Sequence, residues 1–316
     1  MKIIRYFFYL IGISLAAAIL YLAITFPPIM AGMAAKTMCS CVFVMGRTPE
    51  SVVQKELSVF PGLSKAGIEF KDSSAVTARV LWSVSKAIYR KGQGCTLLAE
   101  RSEQEVRQQS PALPTLPPLN ADTVAWPNGD LVSTPPVAGL NYDAVQAALR
   151  LAFEETNPEQ PKNTHAVLAI YDGQIIGEQY ASGFDKHTLF MGWSMTKSLN
   201  NAMVALMVKE GKLNPDAPAP VAAWQNDERK NITLSDLLHG SSGLAWNESY
   251  FLPGDFHNMF MHSDDKGGFA ASKELEYPPN TFFEYSSGTA NLLSKITREA
   301  VGDENYPRFA YDKLFH

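Results

Sequence analysis

Excess charge, paired histidines and cysteine are all scarce in this sequence, and each scarcity removes a class of function. Lys and Arg number 27 against 32 Asp and Glu, and no basic run stands out. A net charge of -5 offers no field to hold a phosphate backbone, so no nucleic-acid partner is expected. The six histidines include no His-x-x-x-His and no His-Glu-x-x-His, and Cys39-Ser40-Cys41 is too tight for zinc spacing. Neither a metal nor any other cofactor is therefore expected. Cys39, Cys41 and Cys95 allow one disulfide and one odd thiol.

Long apolar runs are equally scarce, with one exception. Tyr6 to Phe26 (YFFYLIGISLAAAILYLAITF) carries no charge and follows Lys2 and Arg5, which fits a membrane segment with its amino terminus in the cytoplasm. A cleavable signal peptide has a shorter apolar core and a small-x-small site. Here "PPIMAGMAAK" offers only a poor one, with Met33 at the -3 position for a cut after Ala35. The reading is an uncleaved signal anchor spanning residues 1–36, single-pass in the cytoplasmic membrane, with the body facing the periplasm or the exterior. An exported body is where disulfides persist.

Along the rest of the chain, "GIEF" at 67–70, "TARVLW" at 77–82 and "KAIYR" at 86–90 suggest a small β-rich module over 37–109. The prolines of 110–136 mark an extended linker, and the main domain is expected over 137–316. In that domain 142–155 has helical spacing, and Asp172-Gly173 between "HAVLAIY" and "QIIGEQYA" signals a tight hairpin. Residues 190–213 read as a buried helix, apolar nearly all round and closed by Gly211. Thr233 with Asp236 has capping-box spacing, and 278–302 runs from a turn into a helix.

Ser-x-x-Lys occurs three times, as Ser83 to Lys86, Ser194 to Lys197 and Ser263 to Lys266. Residues three apart share a face on a helix and oppose each other on a strand. Ser83 and Lys86 fall among strand-like runs, and "MHSDDKGG" around Ser263 reads as a solvated loop, Asp264 and Asp265 included. Only Ser194 and Lys197 share a helix. A lysine among apolar neighbours loses hydration, which disfavours its charged form and suits it to act as base for a serine hydroxyl. The bland alternative is an N-cap serine and a lysine reaching to solvent. His239 with Ser241 or Ser242 has no Gly-x-Ser-x-Gly elbow and reads as a helix end and turn.

"FEYSSG" places Tyr285 and Ser287 before a further helix. Together with "GWSMTKS", "ITLSDLLHGSSGL", "CSCVFVMGR" and "GQGCTLL", this resembles the penicillin-recognising, β-lactamase-like serine hydrolases: class C β-lactamases, DD-peptidases and their esterase and amidase relatives. The branch it looks most like is the 6-aminohexanoate-dimer hydrolase type. The resemblance implies an α+β fold in which an antiparallel sheet packs with helices. It implies Ser194 as acylated nucleophile, Lys197 as base and Tyr285 as proton donor to the leaving group. Ser287 would replace an asparagine that bonds lysine and substrate, and Cys39 would pair with Cys95.

The implied substrate is a small amide or carboxylic ester. The alternatives are a β-lactamase or DD-peptidase activity, or an inactive tethered binding module that keeps the fold. The family's third motif, which supplies a second oxyanion donor from a late strand, has no match in the sequence. After Gly288 no alternating run follows either, so the sheet is expected to be incomplete and the chain to be poorly soluble without its anchor and nearly inactive even with Ser194 and Lys197 correctly placed.

Overall fold

The computed structural model describes residues 2–109, 111, 113–115, 120–132 and 136–315. Part of the expected linker, at 110, 112, 116–119 and 133–135, lies outside the described residues. The chain divides into two compact units, Met1–Pro114 with Met191–His316, and Thr115–Phe190.

The first unit opens with helix α1, Lys2–Cys39, which continues through Pro27 and Pro28. Tyr9–Val44 is long and apolar enough to cross a membrane, and its most apolar window is not covered by protein. The expected boundary at residue 36 falls inside this helix. From Ile29 onward α1 is a core element, with Ala31, Ala34, Ala35, Met38 and Cys39 fully buried. The weak cleavage site is thus part of a hydrophobic core, and a cut after Ala35 would remove most of that core's helix. Helix α2, Pro49–Lys55, follows, capped by the Thr48 side chain.

Strands β1 (Gly67–Asp72), β2 (Ala75–Val80), β3 (Ser83–Arg90) and β4 (Gly94–Leu97) then form an antiparallel meander in that order. Three of the four follow the sequence expectation; β4 is too short and too Gly-flanked to stand out. The inner face of the meander (Val76, Ala78, Ala87) packs on Met33 to Cys39 of α1. The disulfide Cys39–Cys95 joins the end of α1 to β4, while Cys41 is free and buried. Closing 56 residues of chain separation removes unfolded-state entropy, a contribution of about 2–4 kcal/mol for such crosslinks. Helix α3, Glu103–Gln108, closes the module with a Ser102–Glu105 capping box.

In the second unit Ala121–Thr123 is a 3-10 turn, and the Trp126 N–H bonds Leu131 O, so this part of the proline-rich stretch is folded rather than extended. Helix α4, Tyr142–Phe153, precedes strands β5 (Ala166–Tyr171) and β6 (Gln174–Tyr180). Asp172 and Gly173 both take positive φ, 47° and 72°, the geometry of a two-residue hairpin turn. The absent side chain of Gly177 lets α4 approach β6, since a Cβ there would lie 2.7 Å from Leu149. Among the described residues this sheet has two strands, and nothing beyond isolated bridges follows β6. The architecture is mixed helix and antiparallel sheet, with the sheet incomplete as the sequence indicates.

Back in the first unit come α5 (Thr196–Lys209), α6 (Leu234–Leu238), α7 (Asp255–His262), α8 (Lys266–Ala271), α9 (Ser287–Val301) and α10 (Tyr306–Lys313). Val204, Met207, Trp224, Ile232, Leu234, Leu292 and Ile296 make their core. Two expectations change here. Helix α5 is not buried all round: Asn200, Val204 and Met207 face inward, while Leu199 is 44% exposed. Lys266 does not sit in a solvated loop but starts α8, where the Asp265 side chain caps Gly268 N and burial holds the Lys266 amine below its ordinary range.

Candidate active site

A backbone irregularity marks the start of the site. Trp193, directly before Ser194, has a φ of +40°, a conformation that costs a large side chain about 1–3 kcal/mol and persists only where its surroundings enforce it. It opens a 3-10 turn, Trp193–Met195, that runs straight into α5. Thr196 Oγ1 donates to Trp193 O at 2.6 Å and Met195 N to Gly192 O at 2.9 Å, which pins the turn. Ser194 is thereby held exposed at a helix entrance, where backbone N–H groups lack helical partners and favour negative charge.

Lys197 lies one turn on. Its Nζ donates to Ser194 Oγ at 3.0 Å and to Ser287 Oγ at 3.1 Å, and stands 4.7 Å from the centre of the Tyr285 ring. The apolar surroundings expected from the sequence are not what it meets; its neighbours are two hydroxyls and a phenol. The distance between α5 and α9 is set by Asn200, whose Nδ2 donates to Ala290 O at 2.8 Å. Ser287 is buried as the first residue of α9, and its neighbour Ser286 caps that helix by accepting from Thr289 N.

Tyr285 is 43% exposed. Burial pushes its phenol up, but hydrogen bonds with Ser194 and Lys197 and the Lys197 charge outweigh this and hold it below the ordinary tyrosine range. The sign is that of an acid whose anion is favoured: it loses its proton at lower pH than a free phenol. Of the 12 tyrosines, the earliest phase of phenolate absorbance in an alkaline titration is therefore expected to vanish in Tyr285→Phe. An unchanged early phase would contradict this geometry.

One residue of the site escapes the sequence reading altogether. Glu248, in the loop after α6, accepts from Ser287 Oγ at 2.5 Å, Ser287 N at 2.8 Å, Tyr250 Oη at 3.0 Å and the Trp246 indole N–H. Because Ser287 donates to Glu248, its lone pairs face Lys197. An amine, a hydroxyl and a carboxylate thus form one directed chain. Burial and the bond to Glu248 push the Tyr250 phenol up to about 12, so it remains a donor. Gly288 permits the arrangement: a Cβ there would lie 2.5 Å from the Trp246 ring. A lone carboxylate in a loop, 39 residues from its partner, has no periodicity or spacing to betray it.

The other sequence candidates lie elsewhere. Ser83 and Lys86 are on β3, three apart and so on opposite faces, with Lys86 paired to Glu103. Lys266 Nζ donates to Ser263 O, not to its hydroxyl. His239 ends α6 on the surface, whereas Ser241 and Ser242 are buried. Among the described residues no group of acidic, His or Cys side chains could hold a metal ion.

An amine within 3.0 Å of an exposed hydroxyl, with a phenol beside it and a half-buried carboxylate behind Ser287, can take and return a proton at that hydroxyl. A solved Bacillus anthracis protein proposed as a 6-aminohexanoate-dimer hydrolase is similar at a TM-score of 0.40 and 15% identity, over 48% of this chain and 43% of its own. The chain thus spans less than half the length of that structure. No curated protein matches. The family model described as Beta-lactamase matches residues 153–316, a segment that contains Ser194, Lys197, Glu248, Tyr285 and Ser287. With more than half of its length so matched, the chain belongs to the beta-lactamase family.

Proposed function

We propose that the protein is a membrane-anchored, exported serine hydrolase that cleaves small amides or carboxylic esters through an ester on Ser194. The observation that carries this reading is the position of Lys197 Nζ, 3.0 Å from Ser194 Oγ and 3.1 Å from Ser287 Oγ. Neutral Lys197 takes the Ser194 proton as Oγ bonds the substrate carbonyl carbon. The Ser194 N–H steadies the oxyanion. Collapse breaks the bond to the leaving group, which receives a proton from Tyr285, and Lys197 returns its own proton to the phenol. Water then attacks the ester; its proton passes through the same pair, and Ser194 leaves as a hydroxyl. Glu248, acting through Ser287, favours the ammonium that the first step creates.

Anchoring and export rest on α1 and on the disulfide, which persists outside reducing compartments. The proposed placement is single-pass in the cytoplasmic membrane, with the site facing the periplasm or exterior. Incubation of the full chain with a fluorophosphonate, followed by peptide mapping, is expected to label Ser194, and Ser194→Ala is expected to abolish both labelling and turnover of a chromogenic ester. Label on another residue, or none, would overturn the assignment.

A further inference from the structure

Leu81 and Trp82, the two turn residues between β2 and β3, are 69% and 63% exposed, and the neighbouring Val84 is 49% exposed. Large apolar side chains at the tip of a hairpin bury nothing there, and Leu81 also takes a positive φ of 52°. Their place along α1 explains them. Cys39 of α1 is bonded to Cys95, which lies opposite Tyr89 of β3. Seven residues earlier in α1, a Cβ on Gly32 would lie 3.2 Å from Leu97, which lies opposite Ala87. Moving from Cys39 toward the start of α1 is therefore moving along β3 toward Ser83 and the turn.

From Ala87 to Ser83 is ~13 Å of strand at ~3.3 Å per residue. The same distance is about nine residues of helix at 1.5 Å each. That brings the tip level with about Ala23 of α1. It is also where α1 changes character: Ile19, Leu20, Tyr21 and Leu22 are exposed, and continuous burial against the module begins a few residues later. The tip therefore stands beside the end of the apolar run Tyr6–Phe26, where a bilayer surface would lie.

We propose that the β2–β3 turn is a second membrane contact, with Leu81 and Trp82 inserted at the headgroup level of the bilayer that α1 crosses. The proposal rests on the membrane reading of α1 given above. Trp is the side chain that favours this interface, with an apolar body and one N–H for the wet side. Exposed Arg79, two residues before the turn, and Lys65, just before β1, lie at the same end of the sheet, because Gly67 of β1 pairs with Arg79. Basic groups there suit anionic headgroups. The occupant is lipid rather than protein because the exposed apolar surface of the tip is continuous in level with that of α1.

The full chain, reconstituted into phosphatidylcholine vesicles with a fraction of anionic lipid, tests this by tryptophan quenching with lipids brominated near the headgroup. Five tryptophans are present, and the quenched part of the emission is expected to disappear in Trp82→Phe and to survive in Trp126→Phe. Equal quenching in wild type and Trp82→Phe would overturn the contact. So would a Trp82 signal that responds to protein concentration and not to brominated lipid, which would mean a second copy covers the tip. Failure of the wild-type chain to float with the vesicles would overturn the membrane reading itself, a result distinct from flotation without Trp82 quenching.

Discussion

Lys197→Ala is expected to slow acylation of Ser194 by about 10²–10⁴, the range that a positioned general base supplies. The variant leaves the fold of α5 intact, since alanine is the best helix former and Lys197 contributes no buried apolar contact. It removes the amine that bonds Ser194 and Ser287, leaving Ser287 still donating to Glu248. The loss should therefore appear in the acylation rate and not in thermal stability. Single-turnover labelling by a fluorophosphonate or an activated ester measures this directly. Acylation by Lys197→Ala within a few-fold of wild type would remove the base assignment, whatever became of Ser194.

Gly243→Ala is expected to cost about 2–5 kcal/mol of stability, from left-handed strain of roughly 1–2 kcal/mol and a clash of about 1–3 kcal/mol. Gly243 has a φ of +74°, and a Cβ there would lie 2.0 Å from the carbonyl oxygen of Tyr277. That oxygen belongs to backbone, so no side chain can swing aside. The same segment is stitched by Gly243 O, which accepts from Glu276 and Tyr277, and it leads through Leu244 to Trp246 and Glu248. Gly211→Ala is the control: its φ is +70°, but nothing lies within 4 Å of its added Cβ. It should carry the strain alone, about 1–2 kcal/mol. Urea or thermal unfolding of both variants separates the two effects. Equal losses would mean that the close approach to Tyr277 does not exist.

Local chemistry was legible wherever a few adjacent residues decide the outcome. Asp172-Gly173 gave the hairpin and Thr233 with Asp236 gave a capping box, because each acts on backbone within three residues. Ser194 and Lys197 could be joined in advance since i and i+3 share a helix face. Their surroundings could not be read the same way. The apolar letters of 190–213 suggested burial, but exposure depends on what packs around α5, and only one side of it is covered. Glu248 was invisible for a related reason: its role comes from a loop meeting the first turn of α9, a contact fixed by Gly288 and Trp246. Helix α1 misled in the opposite sense. Hydropathy is the same for a segment in lipid and one in a protein core, so Ile29 to Lys36 reads as part of the anchor although Met33, Ala34 and Ala35 belong to the core of the disulfide module.

For a protein anchored as proposed above, the continuity of α1 also decides how far it can range. A flexible linker would let an exported domain sample a wide volume above the bilayer, growing with the square root of linker length. Here the helix that leaves the apolar run enters the β module without a break, and the module is bonded to its last residue by Cys39–Cys95. The attachment is a post and not a leash: a helix rises only 1.5 Å per residue, so the ~11 residues from Ile29 to Cys39 hold the module within about 20 Å of the apolar segment. In the proposed arrangement, any neighbour in the same membrane would meet the module at a nearly constant height.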